Sequence, residues 1–164
     1  MLTALEEGVK GGKWYSLMDK VWQKDNLRAS FAKVKRNGGK AGVDHQTIES
    51  FEARLAENLE HLCQGLQEGS YQPQAVRRVW IPKPGKQEKR PLGIPTVRDR
   101  VAQGALRQVL EPIFERDLAP QSYGFRPGRG GKDARRRVDA LLKAGYTWVV
   151  DVDWQAYFDA ISHE

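Results

Sequence analysis

The run YQPQAVRRVWIPKPGKQEKRPLGIPTVRDR, residues 71–100, decides how this chain is read. Two stretches rich in β-formers, 76–82 and 90–95, flank Pro84-Gly85-Lys86, which is turn chemistry, so a β-hairpin is expected. Its tip carries Lys83, Lys86 and Lys89. Lys83 and Arg90 lie seven residues apart across the turn and can meet on opposite strands. A point-like ammonium beside a forked guanidinium suits a triphosphate; an ordinary charged hairpin tip is the open alternative. Thr96, with Asp99 three residues on, has the form of a capping box and starts a helix. Val97, Val101, Leu106, Val109, Leu110, Ile113 and Phe114 give that helix its apolar side, and Pro120 is expected to end it.

Upstream, residues 14–36 place Leu17, Val21, Trp22, Leu27, Phe31 and Val34 at helical spacing, with a break expected near Asp25-Asn26. NGGKAGVD, residues 37–44, is a loop, and Asp44 is a candidate N-cap. A single helix is expected over 46–67, because Ile48, Phe51, Leu55, Leu59, Leu62 and Leu66 recur every three or four residues. Cys63, the one cysteine, sits in this helix as a core residue. It excludes a disulfide framework and makes a reducing cytoplasm the default.

Downstream, SYGFRPGR at 122–129 offers Tyr123 and Phe125 as ring faces for bases and Arg126 and Arg129 for phosphates. A packed loop whose aromatics anchor it is the alternative. A basic helix over 133–144 presents Arg135, Arg136 and Arg137. YTWVVDVD, 146–153, reads as a strand. Alternation puts Asp151 and Asp153 on one face and Val150, Val152 and Trp154 on the other. Carboxylates this close repel unless a cation lies between them. Mg²⁺ suits such a site, and a pair of ions about 3.5–4 Å apart can drive phosphoryl transfer. Two surface acids, with Asp159 capping the next turn, remain the plain alternative.

Hydrophobic residues make up 40% of the 164, enough for a core. No apolar run approaches the roughly 18 residues of a membrane span, so no membrane association is expected, and the N-terminus lacks a secretory h-region. Charge is unevenly placed. Residues 1–75 balance ten Lys/Arg against ten Asp/Glu, residues 76–150 hold 17 against seven, and the last fourteen hold four acids and no Lys or Arg. A basic middle followed by an acidic end points toward a phosphate-rich partner.

In this order the motifs resemble the N-terminal part of reverse transcriptases encoded by bacterial group II introns, which also serve as maturases. The strings that carry the resemblance are NGGKAGVDHQTIESF, residues 71–100, SYGFRPGRGGKDA and VVDVDWQAYFD. They are similar to the segment ahead of the fingers, the first and second fingers motifs, and polymerase motif A. The fold implied is α+β: a mostly helical fingers subdomain with a β-hairpin, plus the first strand of a polymerase palm, a truncated reverse transcriptase fold. Residues 1–45 would form an N-terminal extension, 46–145 the fingers and 146–164 the start of the palm.

The resemblance implies that Asp153 binds both catalytic Mg²⁺ ions and that the Trp154 carbonyl adds a contact. It implies that Phe158 excludes a 2′-OH and that Lys83 and Arg90 hold the incoming dNTP. Trp154 and Gln155 depart from the aliphatic and Lys often found there. The implied partners are intron or template RNA, a DNA primer and dNTP. The second acidic motif of such enzymes, usually YADD, does not occur in the sequence. The chain alone is therefore expected to be inactive: a truncation, a decayed reading frame, or one piece of a split protein whose palm a second chain completes. A non-catalytic module that grips intron RNA is the competing expectation.

Overall fold

A computed structural model describes residues 16–85, 87–154 and 157–162, without the side chains of Phe158 and Asp159. The chain divides into two units, Met1–Asp117 and Leu118–Glu164.

The first unit begins with a short helix α1, Met18–Val21, and a longer α2, Lys24–Asn37. The break falls at Trp22-Gln23, ahead of the Asp25-Asn26 position expected from sequence. Asn26 is the reason. Its amide Nδ2 lies 3.1 Å from each of the Lys20, Val21 and Ala105 carbonyls, so a residue that looks like a helix breaker instead closes the preceding helix from inside the next. Leu27, Phe31 and Val34 form the buried stripe of α2.

The single helix expected over 46–67 is two: α3, Ile48–Ala53, and α4, Leu55–Gln67. Arg54 leaves helical geometry at φ −124° and ψ 38°. The Asn58 amide donates to the Phe51 carbonyl at 2.8 Å, satisfying an acceptor that the break exposes. Thr47, not Asp44, caps α3; its hydroxyl accepts the Ser50 N–H at 3.1 Å. Asp44 stands too far upstream and accepts the Gln46 N–H in a local turn. The Phe31 and Phe51 rings stack with centroids 5.5 Å apart, which joins α2 to α3.

Strands β1, Arg77–Pro82, and β2, Lys89–Ile94, pair antiparallel, with Trp80 opposite Pro91 and Ile81 opposite Arg90. Helix α5, Val97–Glu115, follows. It runs through Pro112 and ends before Pro120 is reached. Thr96 caps it by accepting the Asp99 N–H at 3.1 Å. The reciprocal half of the capping box is replaced, because the Asp99 carboxylate turns into the protein. It accepts the Tyr71 hydroxyl at 2.7 Å and the Gln74 N–H at 3.1 Å. Val97, Val101, Ala102, Ala105 and Val109 of α5 pack with α2 and α4 into one core.

Within that core, α2 and α5 meet tightly at Ser30 and Gly104. The Ser30 hydroxyl donates to the Val101 carbonyl at 2.7 Å. A Cβ on Gly104 would stand 2.3 Å from Ser30 Oγ, so glycine is what lets the helices approach.

The second unit contains helix α6, Gly131–Lys143, and a 3₁₀ turn, Tyr157–Ala160. No α6 residue is buried. The strand expected over 146–153 does not form: residues 146–154 have no regular structure. Trp148 is 96% exposed and Val150 87%. A strand is stable only with hydrogen-bonded neighbours, and among the described residues the only sheet is β1–β2. The α+β expectation holds in the form of a mostly helical chain with one hairpin.

Gly104→Ala is expected to lower unfolding free energy by about 1–2 kcal/mol, the overpacking outweighing the gain in helix propensity. Adding Ser30→Ala should recover most of the loss. Denaturant titration of both variants checks this, and a stabilising single variant would contradict the close approach.

Candidate functional site

The hairpin is the best-built part of the site. Cross-strand partners share a face, and so do alternate residues along each strand. The Lys83 N–H donates to the Glu88 carbonyl at 3.0 Å, so the pairing extends one step past β1. Ile81, Lys83, Glu88 and Arg90 therefore lie on one face, with Lys83 and Arg90 as diagonal neighbours at about 7–8 Å between backbones. The hairpin thus brings the two cations together as the sequence suggested. Between them it sets a residue the sequence reading passed over: Glu88 accepts from Lys83 Nζ at 2.7 Å. The pair is solvent-exposed and is worth little to stability, but it masks charge that an anion would otherwise meet. Lys86 lies outside the described residues.

The base of the hairpin is tied down through Asp99, which the sequence suggested only as half of a capping box. Its carboxylate is buried. Arg98 braces the same point, with its guanidinium 5.2 Å from the Tyr71 ring centre and donating to the Gln72 carbonyl at 2.8 Å. Burial first, then the bond to Asp99, pushes the Tyr71 phenol well above its ordinary range.

In the second unit, Arg126 and Arg129 point inward on their own loop. Arg126 donates to the Ala119 and Ser122 carbonyls at 2.7 and 3.0 Å, and Arg129 donates to the Pro120 carbonyl. These guanidinium groups hold the loop's shape. Tyr123 is half-buried. Phe125 is fully exposed and holds a positive φ of 56°, a backbone state that bulky residues rarely adopt. The Asp133 carboxylate accepts the Gly130 N–H at 3.1 Å and starts α6.

Asp151 and Asp153 are exposed on the unstructured segment ahead of the 3₁₀ turn. Carboxylates and the adjoining Trp154 carbonyl are hard oxygen donors of the kind Mg²⁺ takes. Among the described residues, though, no three His, Cys, Asp or Glu are gathered to hold an ion. These residues fit one side of a metal site and do not close it. The backbone of Phe158 is in the turn, and the expectation for its side chain lies outside what is described.

A polar groove of about 460 Å³ runs between α2 and α5, lined by Lys33, Arg36, Arg100, Gln103 and Arg107, among others. Arg100 is committed there to the Gly38 and Lys40 carbonyls, and Arg107 to Glu111 at 2.6 Å. No described helix is long and apolar enough to cross a membrane.

Comparison with known proteins fits this arrangement. Residues 81–164 match the family described as reverse transcriptase (RNA-dependent DNA polymerase). Protein YkfC of Escherichia coli (strain K12) is 44% identical over 126 residues, covering 74% of this chain and 33% of that protein. Group II intron-encoded protein LtrA of Lactococcus lactis subsp. cremoris is 37% identical over 122 residues, covering 74% and 20%. The putative COX1/OXI3 intron 1 protein of Saccharomyces cerevisiae is 30% identical, covering 85% and 16%. The chain thus spans a third or less of the length of these relatives.

Tyr71→Phe removes a donor from buried Asp99 and should cost about 1–3 kcal/mol. Because folding raises the Tyr71 pKa, its neutral form stabilises the protein below the unfolded phenol value of about 10, and this is lost as pH rises further. Denaturant midpoints between pH 8 and 11 should show an alkaline decline that is shallower in the variant. In the second unit, Arg126→Ala should speed proteolytic cleavage within residues 119–129 and leave the unfolding of residues 16–117 unchanged.

Proposed function

Because the chain belongs to the reverse transcriptase (RNA-dependent DNA polymerase) family, of the group II intron type, we propose that it supplies the nucleotide-facing N-terminal part of an RNA-directed DNA polymerase acting in intron mobility and splicing. The observation that carries this reading is the placement of Lys83 and Arg90 as diagonal neighbours on one hairpin face. There a fork and a point charge can share the oxygens of one triphosphate, orient it and offset its charge as the leaving group develops. The Lys83–Glu88 pair opens when the triphosphate arrives, since a multiply charged anion competes with one carboxylate.

The family is generally dependent on a divalent metal. For this chain we assign Mg²⁺, with Asp153 and the Trp154 carbonyl as its ligands here and a further acidic motif completing the set. When bound, the metal supplies charge neutralisation and activation of the attacking hydroxyl. Asp153 contributes the carboxylate, and Phe158 the surface that reads the sugar. Tyr123, Arg126 and Arg129 form a loop beside the nucleic acid, with the arginines acting through its shape. Template or intron RNA, a DNA primer and dNTP are the partners.

The second reading, a non-catalytic module gripping intron RNA, is favoured by the surplus of cations over acids in residues 76–150. Phosphate contacts of that kind weaken steeply with salt.

Binding of dGTP to the whole chain in Mg²⁺, followed by calorimetry, tests the assignment. Lys83→Ala and Arg90→Ala should each weaken it by on the order of fivefold or more, and Glu88→Gln should strengthen it a few-fold, as expected for charge-assisted contacts. Unchanged affinity in both cation variants would sink the clamp. In primer extension the chain alone should make no product; synthesis that depends on Asp153 would show its metal site to be self-sufficient.

A further inference from the structure

The hairpin has a second face that the triphosphate clamp does not use. It is made of Val76, Arg78, Trp80 and Pro82 from the first strand side and Lys89, Pro91 and Gly93 from the second, by the same register that puts Lys83 and Arg90 on the opposite face. Trp80 is 56% exposed, although indole is among the costliest side chains to leave in water. Its surroundings are flat. Pro91 stands directly across from it, Pro82 follows it along the strand, and the diagonal position is Gly93. A Cβ on Gly93 would meet Val76 at 2.9 Å, so Val76 leans over the glycine and levels that corner. Two cations, Arg78 and Lys89, flank the indole. Neither has an ion-pair partner among the described residues. Residues 76–95 hold six Lys or Arg against one acid, Glu88, and Glu88 faces the other way.

An exposed ring on a low surface between two unpaired cations is the arrangement that single-stranded nucleic acid takes, a base on the ring and phosphates on either side. A duplex offers its phosphates but keeps its bases stacked, so it would use the cations and leave the ring idle. We propose that this outer face of the hairpin, centred on Trp80 with Arg78 and Lys89, binds a single-stranded RNA segment by base stacking. The choice of nucleic acid rests on the reading given above, but the residues are separate from the clamp. One hairpin would then hold a nucleotide on one side and a strand on the other.

The test is binding of the whole chain to a fluorescein-labelled 12-nucleotide single-stranded RNA and to a duplex of equal length, across 50–300 mM salt. Trp80→Ala should weaken single-strand binding on the order of tenfold, with little effect on the duplex or the salt slope. Trp80→Phe should restore most of it, and Trp80→Thr, a β-former, should repeat the loss without disturbing the strand. Arg78→Ala and Lys89→Ala should each lower the salt slope by about one. Equal losses on single strand and duplex, single-strand affinity within twofold of the parent in Trp80→Ala and Trp80→Thr, or no binding by the parent at 50 mM salt would each overturn the proposal. Measuring dGTP binding on the same variants separates the two faces. It should survive Trp80→Ala and fall in Lys83→Ala, so a failure here leaves the clamp standing.

Discussion

The approach of α2 to α5 at Ser30 and Gly104 governs the first unit. At a normal helix spacing, Ser30 could not reach the Val101 carbonyl, and Asn26 could not reach across to that of Ala105. Both are polar contacts made in place of side-chain bulk, and that of Ser30 depends on a residue with no side chain at 104. Gln108 adds to them by donating to Asn26 Oδ1 at 3.1 Å. The apolar stripe of α5 then meets Leu27, Phe31 and Val34 directly. Hydrophobic burial supplies the driving force, while the glycine and the short polar side chains set how near the helices come.

What sequence alone revealed follows the range of the interactions. The hairpin was legible because its signal is local: β-formers on both sides of a Pro-Gly turn. Thr96 as a cap was legible for the same reason. The break at Arg54 was not, because an unbroken apolar stripe through Ile48, Phe51, Leu55 and Leu59 says nothing of where Asn58 sends its amide. Asp99 was misassigned because its actual partners, Tyr71 and Gln74, lie 28 and 25 residues away. The strand at 146–153 shows the opposite failure. Its residues have the propensity and the alternation, but a strand is defined by neighbours that none of the described residues provide. In the site, Lys83 and Arg90 were legible as a pair across the turn and took their role from the resemblance, while Glu88, set between them by the strand register, was not legible.

The arginines of the chain divide by what they touch. Arg100, Arg126 and Arg129 spend donors on main-chain carbonyls, where a fork can hold two loop positions at once. Arg98 lies against Tyr71, and Arg107 pairs with Glu111. Among the described residues, the cations of the hairpin are the contrast: Arg78, Lys89 and Arg90 have no such partner, and Lys83 has only an exposed glutamate. A count of basic residues would treat these groups alike. Arg78, Lys89 and Arg90 are exposed and have no ion-pair partner among the described residues.

The Asp99 anchor has a mechanical meaning. The chain enters the hairpin just after Gln74, whose N–H rests on the Asp99 carboxylate. It leaves at Thr96, whose hydroxyl accepts the Asp99 N–H. Both legs are therefore hung from one residue in the first turn of α5, with the tip about ten residues out. Such a hairpin behaves as a lever with a fixed fulcrum. Load applied to either face of the tip arrives at the same helical turn, and the two strands swing together rather than part.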